Sequence, residues 1–570
     1  MSATVPTLLL QALREAPQHV AVQLLEADSS QAVTYDQLLY GSSRYAHALA
    51  ARGIRAGQPV VIILQHGLDL IEAFFGAMLL GAIPSILPFL SDKLTPERYR
   101  KSLEALIGVT RPTAIITYRE FAPEVHRALK QGDSVRCVLL TDQLEGTVEP
   151  PMEELPGWSS PPESIALLQH SSGTTGLQKG VALSHRAVLN QLEHYGRAIQ
   201  MTRDDRVVSW LPLYHDMGLI AGFLMPILLR ATLVLMSPFD WVRSPHRLLR
   251  AVSDYRGTLS WLPNFAFNFM AKKILGRHLD GVDLSSWRLV SNCSEPMRWN
   301  SHRVFLDRFQ AYGLQPSALA TCYGMAENVF AVTQGGVSEP VTVETVDRTS
   351  LFEQRLVRRS AVRSPNPSST VKVLSAGRPI EGTRLRILDD EHHDLAERSV
   401  GEIAIQGDCI LAGYYNRGDL TQEAFHEDWY LTGDLGYLAG GELYVCGRKK
   451  ELIIVGGKNI YPQDLEEIAA EVPGVHPGRV VAFGIWNEEL GTEDVVIVAE
   501  ADTRSSEARR RIAREIRDHV THQSEVAVRQ VQVVGPRSIE KTSSGKPARL
   551  AHRAKYLAEA QAQLSPASSD

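Results

Sequence analysis

Ten residues of mostly small and hydroxyl type, Ser171-Ser-Gly-Thr-Thr-Gly-Leu-Gln-Lys-Gly180, follow a strand-like run at 165–169 and precede a helix-like segment beginning near Ser184. Backbone this bare lets several N–H groups converge on one anion. Ser171, Ser172, Thr174 and Thr175 add hydroxyl donors, Gly173 and Gly176 keep the approach open, and Lys179 adds a positive charge. The combination suits a triphosphate. The Walker A spacing, Gly-x4-Gly-Lys followed by Ser or Thr, is not met.

Around this loop, short apolar runs at 60–64, 114–117, 138–140, 165–168, 207–209 and 233–236 alternate with amphipathic segments of helical period. That alternation predicts layered α/β structure with largely parallel sheets. Near residue 375 the character changes. Segments 384–388, 401–405 and 442–445 alternate polar with apolar residues, as half-buried antiparallel strands do. A second change at 447–450 introduces a compact segment with its own helix and strand signals. The predicted organisation is α/β. A large N-terminal domain over 1–449 combines layered α/β subdomains with a β-rich subdomain. A small mobile α+β C-terminal domain covers 450–564, and a flexible Ser-rich tail covers 565–570. Residues 345–371 stand out as an insertion: five arginines precede Ser364-Pro-Asn-Pro-Ser-Ser369, with no clear apolar period.

The chain has 570 residues, and a formal net charge of -6 argues against a general nucleic-acid partner. Its five cysteines are scattered without a CxxC pair, which predicts a reduced, cytoplasmic protein. Leu9, Leu10 and Leu13 fit one face of a short amphipathic helix and not a signal peptide. The apolar stretches 60–88 and 219–236 are broken by charges and prolines, so no membrane span is expected.

Six further motifs follow the loop in order. They are Leu211-Pro-Leu-Tyr-His-Asp-Met-Gly218, Ser291-Asn-Cys-Ser-Glu-Pro296, Tyr323-Gly-Met-Ala-Glu327, Tyr430-Leu-Thr-Gly-Asp434, Gly447-Arg-Lys-Lys-Glu-Leu-Ile453 and Lys541-Thr-Ser-Ser-Gly-Lys546. Together with the loop they resemble the signatures of the acyl-adenylate-forming superfamily, over nearly the whole chain. That superfamily includes acyl-CoA synthetases, luciferases, peptide-synthetase adenylation domains and fatty acyl-AMP ligases. The resemblance implies attack of a carboxylate on the α-phosphorus of ATP, with Mg2+ and release of pyrophosphate. Two anions must meet, so cations and aligned donors have to act on the transition state.

The resemblance also assigns roles. Lys546 would reach both carboxylate and α-phosphate as a compact cation, and His215 would line the passage between acid and nucleotide. Ser171, Ser172, Gly173, Thr174, Thr175, Gly176 and Lys179 would hold phosphates. Ser294, Glu295 and Pro296 would edge the adenine, with Tyr323 stacked on it and Gly324 beside it. Asp434 would accept from the ribose hydroxyls, supported by Arg448. Glu327, helped by Thr174, would hold Mg2+. Lys450 would be the hinge about which the small domain turns.

For the acid, the apolar stretches 221–226 and 263–270 suit an alkyl chain, that is, a fatty acid substrate. Trp261-Leu-Pro-Asn-Phe-Ala-Phe267, Ser375-Ala-Gly-Arg-Pro379 and Asn459-Ile-Tyr-Pro-Gln-Asp-Leu-Glu466 resemble fatty acyl-AMP ligases more closely than acyl-CoA synthetases. The stretch 345–371 falls where those ligases carry their insertion. In that family the insertion is held to hinder the rotation that CoA use requires, so the acyl group passes to an acyl carrier protein. The phosphate loop itself resembles the general superfamily pattern. The alternatives are an acyl-CoA synthetase and a binding protein that kept the fold without the chemistry.

Overall fold

Leu259–Pro263 and Leu289–Cys293 are buried along their whole length, a pattern that fits strands covered on both faces. They lie at the centre of a nine-stranded sheet in a computed structural model of the chain. The structure describes residues 3–26, 29–89, 96–144, 152–171, 179–347, 350–351, 354–359, 370–455, 458–487, 492–503, 505–524, 526–542 and 546–564.

From one edge to the other, this sheet runs Arg378–Pro379, Ala331–Gly335, Leu319–Gly324, Leu289–Cys293, Leu259–Pro263, Arg206–Ser209, Thr232–Met236, Val20–Leu25 and Ser30–Thr34. The strands from Leu319–Gly324 to Val20–Leu25 pair in parallel, and the outer ones close the edges antiparallel. A second sheet, all parallel, joins Ile83–Ile86, Pro59–Ile62, Ala114–Thr117 and Cys137–Leu140. Helices fill the crossovers. Tyr35–Ala51 starts at a reciprocal Thr34/Gln37 capping box, and His185–Ala198 starts at Ser184, whose hydroxyl accepts from the Ala187 N–H.

The β-rich part is a five-stranded antiparallel sheet built on Thr383–Leu388, Gly401–Gly407, Trp429–Ala439 and Glu442–Arg448, with Phe425–His426 at an edge. The apolar core of all these layers runs from Val5 to Leu443. A separate cluster from Ile453 to Val528 supports a three-stranded sheet, Val475–Asn487, Thr492–Ala501 and Val528–Val534, with helices Pro462–Ala470 and Ser506–Ser524. The mixed α/β architecture expected from the sequence is therefore present. Among the described residues no helix is long and apolar enough to cross a membrane.

Three local expectations change. First, the helix expected near Ser184 is present as His185–Ala198, but a strand not foreseen comes before it. Strand Lys179–Ser184 intervenes and pairs antiparallel with Ile165–Ser171, so the loop closes a hairpin. Its signal was only the short run Val181-Ala-Leu. Second, Gly401–Gly407, read as half-buried, is buried over its first five residues because both faces are covered. Third, the stretch 345–371 is not loop at its ends. Val343–Asp347 pairs with Thr370–Leu374 as an antiparallel hairpin base. Of the remainder only 350–351 and 354–359 are described; Ser364–Ser369 and the tail 565–570 lie outside the described residues.

This base is well anchored. Glu344 is buried and receives Arg359 at 2.8 Å and Arg398 at 2.7 Å. These arginines hold its carboxyl below the usual range although burial alone would raise it. Val346, Leu351 and Val357 pack in one cluster with Leu435, Tyr437 and Tyr461. Tyr461 immediately precedes helix Pro462–Ala470, so the stretch without apolar period does supply apolar anchors.

Candidate active site

In an open parallel sheet the strand carboxyl ends are where ligands gather. Here four adjacent strands end in four of the sequence motifs. Arg206–Ser209 leads to His215, Leu259–Pro263 to Asn264, Leu289–Cys293 to Ser294-Glu295-Pro296, and Leu319–Gly324 carries Tyr323 and Gly324. Sequence separations of tens of residues collapse because these strands are neighbours. Ser294 takes a left-handed backbone, φ 67°, where the chain turns off the sheet.

Asp434 is the point where three elements meet. Its Oδ2 accepts from the Tyr323 hydroxyl at 2.7 Å, and its Oδ1 accepts from Arg448 Nε at 3.0 Å. Asp434 and Arg448 are register partners across the antiparallel strands Trp429–Ala439 and Glu442–Arg448. Only 7% of Asp434 is exposed, so an unpaired charge there would be costly. Each carboxylate oxygen has two lone pairs, which leaves acceptor capacity for further donors.

Glu327 lies just before a strained position. Val329 is β-branched yet sits at φ 60°, a conformation that costs about 1–3 kcal/mol. The turn is fixed by Phe330 N–H donating to Gln191 Oε1 at 2.9 Å and by Leu411 N–H donating to the Glu327 carbonyl at 2.8 Å. The Glu327 carboxylate accepts from the Tyr414 hydroxyl at 3.0 Å, and Tyr414 in turn meets Tyr430 at 3.0 Å. Burial pushes the Glu327 carboxyl up, while Tyr414 and the Arg448 charge oppose it.

Lys179 lies on the other side of Tyr414, its Nζ 4.5 Å from the ring centroid. Burial lowers its pKa, and the charge of Lys450 lowers it further, against the pull of Glu327. The predicted hinge residue thus contributes positive charge to the phosphate-loop side. Ser171 and Lys179 face each other as the last register pair of the hairpin. The residues between them, 172–178, lie outside the described residues, so Ser172, Gly173, Thr174, Thr175 and Gly176 receive no placement.

Lys546 is held in a turn, its N–H donating to the Thr542 hydroxyl at 3.2 Å and its carbonyl accepting from the Thr542 N–H at 2.8 Å. Its charge reaches two carboxyls of the large core. Asp216 is pushed up by burial, but His215, the Met217 N–H and Lys546 together bring it below its usual range. Glu295 stays raised by burial despite Lys546 and Lys541. The Glu295 carboxylate also accepts from the Phe265 N–H at 2.8 Å, at the start of helix Asn264–Lys273. Its side chain is therefore engaged in the protein, and Pro296 beside it is exposed. His215 Nδ1 stands 3.5 Å from Asp216, and its buried Nε2 has no hydrogen-bond partner among the described residues.

Several contributors escaped the sequence reading. Tyr414 gave no signal, because a tyrosine in a strand reads as core, and Tyr430 opens a quoted motif without a role of its own. Asp216 was noted beside His215 without a function. Arg298 crosses to the small unit, binding Asp464 at 2.7 Å and Glu467 at 3.1 Å. Lys449 binds Glu402 and Asp390, each at 3.0 Å, and Gln463 Nε2 donates to the Cys446 carbonyl at 2.8 Å. Gly447 permits this close approach, since a Cβ there would lie 2.6 Å from the Tyr461 ring.

The stretches 221–226 and 263–270 proposed for an alkyl chain line neither of the two cavities described below. Met217–Leu224 forms a fully buried π-helix, a rare element. Trp210 and Trp241 stack at 3.6 Å, with Phe265 edge-on to both. A small apolar cavity next to the histidine motif is lined by Leu64, His66, Leu70, Phe89, Tyr214 and Phe239, and burial lowers His66 to about 4. A larger cavity of about 300 Å³ borders Gln334, Gly377 and Arg378, and none of the predicted site residues lines it.

The Tyr414–Glu327 contact gives a test with a definite sign. Tyr414→Phe removes the hydrogen bond that favours ionised Glu327, so that carboxyl titrates at higher pH. The acid limb of the pH profile for pyrophosphate release should move up by about one unit. An unmoved limb would show that ionised Glu327 is not required.

Comparison with known proteins agrees with this geometry. Residues 9–415 match the AMP-binding enzyme family. The long-chain-fatty-acid–AMP ligase FadD26 of Mycobacterium marinum is 29% identical, covering 98% of this chain and 97% of its own. The medium-chain-fatty-acid–[acyl-carrier-protein] ligase JamA of Moorena producens is 30% identical, covering 87% and 85%. A structure from studies of fatty acyl-adenylate ligases of E. coli and L. pneumophila superposes with TM-score 0.88 at 28% identity, covering 98% of each chain. Strand ends, buried charges and family match converge, and this chain belongs to the AMP-binding enzyme family of adenylate-forming ligases.

Proposed function

We propose that this ligase uses ATP to convert a fatty acid into acyl-AMP and then delivers the acyl group to the phosphopantetheine thiol of an acyl carrier protein. The observation that carries the first half is the position of Lys546. Its charge lowers the carboxyls of Asp216, beside His215, and of Glu295, just after strand Leu289–Cys293. A cation there offsets the repulsion between an incoming carboxylate and the α-phosphate as the transition state forms. Asp434 and Arg448 hold the ribose end, Tyr323 the base, and Lys179 with Lys450 the phosphate end. His215 lines the acid's route.

Mg2+ fits the donor set at Glu327, a half-buried carboxylate whose bond from the Tyr414 hydroxyl leaves further lone pairs free. Thr174 is its proposed companion. Bound there, Mg2+ would neutralise phosphate charge; the chain's own part is to keep Glu327 ionised and oriented.

For the second half, the restraint on the small unit supports a carrier thiol over CoA. The base of the 345–371 insertion shares one apolar cluster with Tyr461, and Arg298 holds Asp464 and Glu467. We take 1–449 and 450–564 as the two domains and Lys450 as their hinge. With the chain in this arrangement, rotation has to break both contacts. Five free cysteines, three of them buried, suit a reducing cytoplasm.

Two measurements test this reading. Lys546→Ala should lower fatty-acid-dependent pyrophosphate release at least about 100-fold, by loss of charge stabilisation. ATP binding should be retained, and unchanged turnover would remove Lys546 from its role. With ATP, Mg2+ and laurate, holo-carrier protein should be acylated while CoA is not. Excising 348–369, which spares the hairpin base, should raise acyl-CoA formation. Rapid acyl-CoA formation by the intact chain would establish a CoA synthetase instead.

A further inference from the structure

His194, Asp408 and Cys409 come together far from each other in sequence and outside the site described above. His194 lies near the end of helix His185–Ala198, and Asp408 and Cys409 follow strand Gly401–Gly407. The three ligand-type atoms all lie within 4.8 Å of one another. His194 Nε2 stands 3.1 Å from Asp408 Oδ2, and Cys409 Sγ stands 3.4 Å from Asp408 Oδ1. His194 Nδ1 is buried with no hydrogen-bond partner and lies 3.8 Å from Glu381 Oε2. Cys409 is fully buried.

The space around these atoms is kept open by a glycine. A Cβ on Gly382 would fall 2.6 Å from Asp408 Oδ1 and 2.7 Å from His194 Nε2, and its φ of 75° is one that side chains rarely adopt. We propose that His194, Asp408 and Cys409 form a binding site for a borderline-soft divalent cation, Zn2+ by preference, with water completing the shell; Glu381, ion-paired with Arg197, stands on the Nδ1 side of the ring.

The geometry supports this over a plain hydrogen-bonded cluster in one respect. Donors around a tetrahedral Zn2+ stand roughly 3.3–3.6 Å apart at ordinary bond lengths, and the Asp408 carboxylate lies at a similar distance from each of the other two donors, one on each of its oxygens. A mixed N, O and S donor set also selects Zn2+ over Mg2+ or Ca2+. Binding displaces the Cys409 thiol proton to solvent, so affinity rises with pH. Burial and the Asp408 charge push that thiol's pKa up, and the cation has to overcome this.

The site has a mechanical consequence. The segment leaving Cys409 reaches Leu411, whose N–H holds the Glu327 carbonyl, and Tyr414, whose hydroxyl holds the Glu327 carboxylate. A cation joining helix His185–Ala198 to this segment would stiffen the frame behind Glu327 without touching the substrates.

Co2+ titration of the full-length, chelator-treated protein tests the proposal. Wild type should bind one Co2+ per chain with a thiolate-to-cobalt charge-transfer band. That band should vanish in Cys409→Ser and persist in Cys446→Ser, and His194→Ala should weaken binding at least tenfold. Zn2+ should raise the melting temperature of wild type and not of His194→Ala, which gives a readout even where Cys409→Ser does not fold. No charge-transfer band in wild type, or the same band in Cys409→Ser, would overturn the site. So would an equal Zn2+ shift in wild type and His194→Ala.

Discussion

The Arg448–Asp434 pair sits where the β-rich sheet hands the chain to the small unit, and much of the site hangs on it. Asp434 is almost fully buried and has two partners from different elements, Arg448 on its register neighbour and Tyr323 at the end of a parallel strand. Removing either partner leaves a buried carboxylate under-satisfied, which is destabilising. The pair therefore ties the parallel sheet, the antiparallel sheet and the entry to the small unit into one frame.

How much of this was legible in the sequence depended on the kind of signal. The seven motifs were visible because glycines, paired charges and hydroxyls at short spacing are rare as plain core. Their convergence was not visible, since it follows from strand order, and neighbours in the sheet lie tens of residues apart in the chain. Strand Lys179–Ser184 was missed because three apolar residues carry no period. The aromatic partners of Glu327 were missed for the opposite reason: Tyr414 and Tyr430 look like any buried tyrosine until their hydroxyls are seen to meet. The insertion looked polar throughout because its anchors, Val346, Leu351 and Val357, are too widely spaced to register, yet they pack beside Tyr461.

The same contacts bear on what becomes of the acyl-AMP. A chain that must turn its small unit to admit a second substrate needs a hinge with little packed against it. Here the hinge segment is crowded. Lys449 is paired twice, Gln463 reaches back to the Cys446 carbonyl, Gly447 lies against Tyr461, and Arg298 spans the gap. Each surface pair is worth little alone. Together with the apolar cluster that contains Tyr461 they hold the small unit in the arrangement described.

The central claim is that the acid's own oxygen attacks the α-phosphorus of ATP. A fatty acid labelled with 18O in its carboxyl group follows that oxygen. After one turnover with holo-carrier protein, mass spectrometry should find AMP carrying one 18O atom, with none in pyrophosphate. Label in inorganic phosphate or pyrophosphate, and unlabelled AMP, would mean attack at another phosphorus and would contradict the account.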